Sequence, residues 1–203
     1  MISERPGAPP RTAPRSAWSR WPELLLIGAV SGLLQALGPG LILALRYDRI
    51  AIAHGQWWRL WSAHLVHLGW DHWLLNMAGL AGLWWLYVAE ATRRDWLIVA
   101  TASALFISAA LYVASPAVEW YVGLSGVLHA LWAAAAVAMW RHSRTEAAAS
   151  LVLLAAKLVW EAMIGPLSSG PGDGLPVVTV AHRYGALGGL GCALALRLWR
   201  KPL

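Results

Sequence analysis

The chain has 203 residues, of which 59% are hydrophobic and only 13% charged, and its mean hydropathy is +0.53. This composition excludes an ordinary water-soluble domain and indicates an integral membrane protein. The net charge of +6 does not indicate a nucleic-acid partner, because the basic residues lie at the ends of apolar runs.

Residues 1–20 are rich in Pro, Arg, Ser and Ala, which predicts a disordered basic tail before a transmembrane domain over residues 21–200. The first predicted membrane span covers residues 24–45. Gly38, Pro39 and Gly40 interrupt it, and this predicts a kink or a local unwinding of the helix. A short charged loop, residues 46–59, follows.

Five further apolar runs predict the remaining membrane spans, at residues 61–88, 96–114, 124–140, 147–164 and 177–199. The run at 61–88 is longer than a bilayer requires, so we expect its first turns to lie outside the hydrocarbon. A loop of Gly, Pro and Ser at residues 166–176 separates the last two spans. The predicted fold class is therefore an all-α membrane protein, a bundle of six transmembrane helices.

The distribution of Lys and Arg predicts the orientation of this bundle. With both termini inside, the cytoplasmic segments hold eleven of these residues and the opposite loops hold three, all of them in residues 46–59. Cytoplasmic loops of membrane proteins carry such an excess of positive charge. The expected topology is N-in and C-in, and it starts the fourth span on the non-cytoplasmic side.

Ser125 is the first candidate for chemistry. It lies between Gly123 and Gly126, in the motif GLSG, at the predicted start of the fourth span. Glycines allow a substrate to approach the backbone closely, and the free N–H groups of a first helical turn can hold a developing negative charge. A serine in this position suits nucleophilic catalysis if a general base is within reach.

His182 is the candidate base, because the sixth span also descends from the outer side and can place it at the depth of Ser125. Gly185 and Gly189 are four residues apart, and such a face allows two membrane helices to pack closely. The alternative is ordinary helix packing, with His182 bonded to a backbone carbonyl. A polar residue inside a bilayer is costly and usually functional.

The second span supplies two candidate donors for an oxyanion hole. His72 and Asn76 are four residues apart and therefore lie on one helical face, and both can donate hydrogen bonds. With the Ser125 N–H they can hold a tetrahedral oxyanion. His64 and His67 lie a turn or more nearer the outer interface, where we expect them to bond the loop or line a path for water.

Three motifs, WWRLWSAHLVHLGWDHWLLN, GLSG and AHRYGALGG, follow one another along the chain, and together they resemble the rhomboid intramembrane serine proteases. The resemblance implies a six-helix core and a Ser–His dyad, with Ser125 as nucleophile and His182 as general base. It implies that His72 and Asn76 are the oxyanion-hole side chains.

The same resemblance assigns supporting positions. Gly123 and Gly126 match the loop glycines around the serine, and Gly185 and Gly189 match the close-packing glycines after the histidine. Many rhomboids have a tyrosine one turn after the serine, stacked on the catalytic histidine, and here that residue is His129.

The compact chain, the HLVHLGWDHWLLN pattern and GLSGVLH resemble the rhombosortase branch of this superfamily more closely. That branch implies substrates that are exported, membrane-anchored proteins ending in a Gly-Gly, apolar-helix and basic-tail signal. It also implies a bacterial inner membrane and an active site open to the non-cytoplasmic side. Membrane lipid is the other expected partner, and no cofactor or metal ion is expected.

Several alternatives stay open on the sequence alone. The chain can be a catalytically silent rhomboid-like module that binds membrane proteins, a histidine-ligated metal or haem protein, or a transporter.

Lys157 and Glu161, an i, i+4 pair within the fifth span, can be a structural ion pair. The resemblance adds a second interpretation for them, a gate, because the fifth helix of the family controls lateral substrate entry. Arg183 can contact lipid headgroups or an anionic group of the substrate.

Overall fold

The computed structural model describes residues 21–166 and 177–199, and this part of the chain is predominantly helical. Its helices are α1 (Trp21–Ala36), α2 (Pro39–Leu45), α3 (Arg49–Ala53), α4 (Arg59–Ser62), α5 (Trp70–Tyr87), α6 (Arg93–Ala114), α7 (Ser125–Met139), α8 (Arg144–Met163) and α9 (Val180–Trp199). A 3-10 turn, Val88–Glu90, follows α5. The predicted tail at 1–20, most of the predicted loop at 166–176 and the residues from 200 onward lie outside the described residues.

The first apolar run forms two helices. The chain bends by 118° between α1 and α2, at the break that Gly38 and Pro39 predict. Gly38 has a φ of +93°, which glycine adopts readily, and Pro39 is suited to the first turn of a helix. The predicted kink is present, but so large a bend means that residues 24–45 are not one straight span.

The helix predicted from residue 61 begins later than expected. α4 ends at Ser62, and α5 begins at Trp70 after an extended Gly69. His64 and His67 therefore lie in a non-helical turn and not on the second helix. The prediction was wrong here because His64 hydrogen-bonds to α6, and periodicity within the run cannot show such a contact.

A two-stranded antiparallel pair was not predicted. β1 (Tyr47–Asp48) pairs with β2 (Trp120–Tyr121), so that Tyr47 faces Tyr121 and Asp48 faces Trp120. Each strand has two residues, too few for an alternating pattern to be recognised in the sequence. The pair fixes the segment before α7 to the segment after α2.

α7 is the central helix of the described fold. It contacts α5, α6, α8 and α9, and its most extensive contact is with α9. The core beside its first turns contains Ile107 and Leu111 of α6 together with Val127 of α7, all of them buried. The chain thus positions the N-terminal end of α7, where Ser125 lies, inside a ring of helices.

Large apolar side chains cover much of the outer surface. Examples more than half exposed are Leu25, Leu33, Trp85, Val113, Val152 and Met163. A surface of this kind is typical of contact with lipid. Among the described helices, α6 alone is long and apolar enough to span a bilayer, and α1 with α2 passes the same test as a bent pair.

Candidate active site

Ser125 is the first residue of α7. The turn before it is held by hydrogen bonds to both the N–H and the carbonyl of Gly123. The Gly123 N–H donates to the carbonyl of Ala63 at 2.9 Å. The hydroxyl of Tyr121 donates to the carbonyl of Gly123 at 2.7 Å. Gly123 has a φ of +119°, a conformation that glycine adopts without strain. The turn therefore presents the serine in a defined position.

His182 of α9 contacts the serine directly. Its Nε2 lies 2.8 Å from the Oγ of Ser125, and the residue is 4% exposed. This distance is suited to proton transfer from a hydroxyl to an imidazole.

Two glycines of α9 allow the approach of α9 to α7 that makes this contact. A Cβ on Gly185 would lie 2.0 Å from the carbonyl oxygen of Gly126, and a Cβ on Gly189 would lie 2.1 Å from that of Ala130. No side chain fits at either position without moving one of the two helices.

The second ring nitrogen of His182 faces a carboxylate that the sequence analysis did not assign to the site. Nδ1 of His182 lies 2.8 Å from Oε2 of Glu161, whose side chain is 4% exposed. The other carboxylate oxygen of Glu161 accepts from Lys157, so the predicted i, i+4 ion pair is formed as well. The available signal was a pair of charged residues within an apolar span, which indicated an ion pair or a gate but no contact with His182.

His129 lies on the face of His182. The two rings are stacked, with centroids 4.2 Å apart and 10° between their planes. Nδ1 of His129 donates to the carbonyl of Ser125 at 2.7 Å. The structure therefore places this imidazole where the sequence comparison expects a stacked aromatic ring, and ties it to the serine backbone.

His72 packs against the turn before the serine. A Cβ at Gly123 would lie 2.8 Å from Cε1 and 2.9 Å from Nε2 of His72, so glycine leaves the space that the imidazole occupies. Asn76 is buried, and its amide donates to the carbonyl of His72 at 3.0 Å. An amide nitrogen carries two N–H groups and can donate a second bond.

Two other histidines of this region, His64 and His67, contact the residues around the site. Nε2 of His64 bonds to the carbonyl of Ala104 at 3.0 Å and to the hydroxyl of Ser108 at 3.1 Å. His67 is fully buried, and its ring meets the edge of the His72 ring at a centroid distance of 5.1 Å. His64 thus binds the turn to α6, while His67 limits the movement of His72. Arg183 is exposed, outside this cluster.

Comparison with known protein families matches residues 54–199 to the Rhomboid domain, which is most of the chain and includes every helix from α4 to α9. A search of curated proteins finds no match. Rhomboid proteins are integral membrane proteins, and the family's proteases are serine hydrolases that act on membrane proteins within the bilayer. The chain belongs to the rhomboid family.

Proposed function

We propose that the protein is an intramembrane serine endopeptidase in which Ser125 is the nucleophile and His182 the general base. The observation that carries this proposal is the 2.8 Å contact between Ser125 Oγ and His182 Nε2 at the buried meeting point of α7 and α9. A catalytically silent binding module needs no such contact, so the geometry favours the enzyme.

The chemistry balances with these two residues. Ser125 Oγ forms a bond to the carbonyl carbon of the scissile peptide while its proton moves to His182 Nε2. His182 then gives that proton to the leaving amine as the C–N bond breaks, which leaves an acyl-enzyme. Water, with His182 again as the base, releases the acyl group.

The oxyanion of the tetrahedral intermediate needs preorganised donors. We assign the backbone N–H of Ser125 and the side chains of His72 and Asn76. The first N–H groups of an α-helix have no acceptor within the helix, so that of Ser125 can point to substrate. The contact of His72 with the Gly123 turn supports its place in this set.

We also propose six spans, with both termini in the cytoplasm and the serine near the non-cytoplasmic surface of a bacterial inner membrane. The excess of Lys and Arg in the cytoplasmic segments supports this orientation. In this arrangement residues 1–20 are a separate basic tail, and residues 21–200 are the transmembrane domain.

The proposed substrate is a transmembrane segment of another protein, cut where small residues weaken its helix. Gly has a poor helix propensity, so a Gly-Gly or Gly/Ala-rich stretch unwinds at low cost. The similarity of the second and fourth spans to rhombosortases supports the Gly-Gly C-terminal anchors of exported proteins as the specific class.

A cleavage assay in membranes tests the enzyme. The reporter carries a Gly-Gly, apolar-helix and basic-tail anchor, and its matched control replaces the Gly-Gly by Leu-Leu. Wild type should cut the first reporter, and Ser125→Ala and His182→Ala should each reduce cleavage by about 10³-fold or more. Normal cutting by either variant would rule out the mechanism.

Two further results separate the parts of the proposal. A fluorophosphonate probe should label wild type at Ser125 alone and should not label Ser125→Ala. If ordinary rhomboid substrates are cut and Gly-Gly anchors are ignored, the assignment to the rhombosortase branch is wrong while the protease assignment stands.

A further inference from the structure

We propose that Glu161 is a positioning residue that extends the Ser–His dyad to a hydrogen-bonded series of four side chains, Lys157, Glu161, His182 and Ser125. This inference rests on the proposed protease function. In this role Glu161 holds His182 in the one neutral tautomer that can accept the proton of Ser125.

The geometry of His182 carries the argument. The ring has one nitrogen for each neighbour, because Nε2 lies 2.8 Å from Ser125 Oγ and Nδ1 lies 2.8 Å from Glu161 Oε2. A neutral imidazole carries its single proton on one nitrogen and accepts on the other. A carboxylate only accepts, so the proton is on Nδ1 and Nε2 is left to accept from the serine.

The same contact serves the proton transfer itself. When Ser125 attacks, its proton moves to Nε2, and His182 becomes an imidazolium with a proton on each nitrogen. The Nδ1 proton stays in place and continues to bond Glu161, which remains ionised. The negative carboxylate thereby stabilises the positive charge that forms on His182 in the transition state.

Lys157 makes an ionised carboxylate tolerable in this position. A charge inside an apolar bundle is costly unless it is paired and hydrogen-bonded. Each oxygen of Glu161 has its own partner, with Lys157 on Oε1 and His182 on Oε2. The side chain of Lys157 is 24% exposed, so this lysine is less deeply buried than Glu161.

A metal ion is the other ligand that this region suggests. One possible ligand atom from each of His129, Glu161 and His182 lies within 4.8 Å of the others. The rings of His129 and His182 are stacked, however, with only 10° between their planes, so their in-plane lone pairs lie in two separate, nearly parallel planes and cannot both point at one metal ion. Lys157 also forms an ion pair with one oxygen of the Glu161 carboxylate. The geometry therefore favours the hydrogen-bonded series.

Glu161→Gln tests the role because it preserves size and removes the charge. Lys157 can only donate, so it will hold the amide oxygen and turn the amide NH₂ toward Nδ1 of His182. His182 must then accept at Nδ1 and carry its proton on Nε2, where it cannot receive the proton of Ser125. We expect kcat to fall by about 10²–10⁴-fold with KM within about threefold of wild type.

A second substitution should restore part of this loss. In Lys157→Met with Glu161→Gln, nothing holds the amide oxygen, so the amide can flip and accept from Nδ1–H. We expect the double variant to be about tenfold or more faster than Glu161→Gln alone. A purely structural role for the Lys157–Glu161 pair predicts no recovery from removing the lysine as well.

The experiment uses the full chain in membranes, with the Gly-Gly reporter and with fluorophosphonate labelling as two independent readouts of the serine. Glu146→Gln is the matched control, because Glu146 is exposed on the same helix and should leave both readouts at the wild-type level. If Glu161→Gln is as fast as wild type, or if the double variant is no faster than Glu161→Gln, the inference is overturned.

The test also distinguishes this inference from the proposed function. Normal cleavage by Ser125→Ala or His182→Ala would remove the protease mechanism altogether. Loss of cleavage in those two variants together with full activity in Glu161→Gln would remove only the role of Glu161. Should Glu161→Gln fail to accumulate, the double variant decides the inference: activity above about 0.1% of wild type supports it, and activity below that level contradicts it.

Discussion

Gly123 combines a backbone conformation and a close contact that both require glycine. Its φ is +119°, and the space where a Cβ would lie is filled by the His72 ring. The residue therefore couples the turn before the serine to a proposed oxyanion donor. Any side chain here has to move one of the two.

We expect Gly123→Ala to lower kcat by about 10²-fold, because a displacement of about 1 Å in a catalytic group can cost that much. The matched control is Gly55→Ala. Gly55 also has a positive φ, of +89°, but nothing lies within 4 Å of its Cβ position. The control should lose about 1–2 kcal/mol of stability and keep its turnover rate. Equal turnover rates for the two variants would contradict the assigned role of the His72 contact.

His129 acts on His182 through its ring and on Ser125 through its Nδ1. We expect His129→Phe, which keeps a stacked ring, to retain more activity than His129→Ala. Aromatic pairs contribute about 0.5–1.5 kcal/mol, so the alanine variant should lose about 2–10-fold more in kcat than the phenylalanine variant. Steady-state cleavage of the reporter measures this, and equal losses would show that stacking has no part in the reaction.

The residues of the site differ in how readily the sequence reveals them. Ser125 and His182 stand in short motifs with glycines, so their chemistry can be inferred from local pattern. Glu161 has no such motif, and an i, i+4 lysine already explains it. The contact of Glu161 with His182 depends on the rotation of α8 about its own axis and on the depth of α8 beside α9. Neither can be inferred from the local sequence.

At the scale of elements, the contact between α7 and α9 brings together Ser125 and His182, the proposed nucleophile and base. The carbonyl groups of Gly126 and Ala130 occupy the places where side chains at Gly185 and Gly189 would lie. Small residues at this spacing are a general means of close packing between membrane helices.

We expect Gly185→Ala and Gly189→Ala each to destabilise the protein by about 1–3 kcal/mol and to reduce cleavage, because the helices must separate to admit a methyl group. Gly191→Ala is the control, since nothing lies within 4 Å of its Cβ position. It should be neutral or stabilising by up to about 1 kcal/mol, as alanine is the better helix former. Thermal unfolding in detergent measures both effects, and a stable Gly185→Ala would be inconsistent with the observed approach.

Helices with strong apolar runs between charged or proline-containing turns were located well from sequence, as α6, α7 and α8 show. α6 begins at a capping box, in which the side chain of Thr92 accepts from the Asp95 N–H and that of Asp95 accepts from the Thr92 N–H. α5 begins later than the sequence predicts, because the turn before it is held by the tertiary hydrogen bonds of His64. The β1–β2 pair was missed for a related reason, since it depends on contact between distant segments.

At the scale of the whole molecule, two arginines of residues 46–59 hold this connection to the ends of helices. Arg59 is 8% exposed and donates to the carbonyls of Leu43 at 2.8 Å and Arg46 at 2.9 Å, at the end of α2. Arg49 donates to the carbonyls of Leu111 and Tyr112, at the end of α6. Cations at helix C-termini satisfy carbonyls that have no partner within the helix. Arg49 and Arg59, two of the three basic residues in the loop of residues 46–59, are therefore structural.

The proposed topology can be tested by labelling with a membrane-impermeant maleimide. In a Cys192→Ala background, Ile50→Cys, at a position 71% exposed, should react in intact cells from the non-cytoplasmic side. Thr145→Cys, at an exposed position in the first turn of α8, should react only after the membrane is permeabilised. The reverse pattern would invert the orientation and place Ser125 near the cytoplasm.

The pairing of β1 with β2 sets a lower limit on the smallest active fragment. The Rhomboid domain match begins at residue 54, whereas β1 is Tyr47–Asp48, ahead of that boundary. Its partner β2 ends two residues before Gly123, so a fragment cut at residue 54 would lose the strand that anchors the nucleophile's turn. A fragment beginning at residue 46 would retain that strand and would also keep the Arg46 carbonyl that binds Arg59. We therefore expect the smallest fragment that keeps the proposed active site to be longer than the sequence that identifies the family.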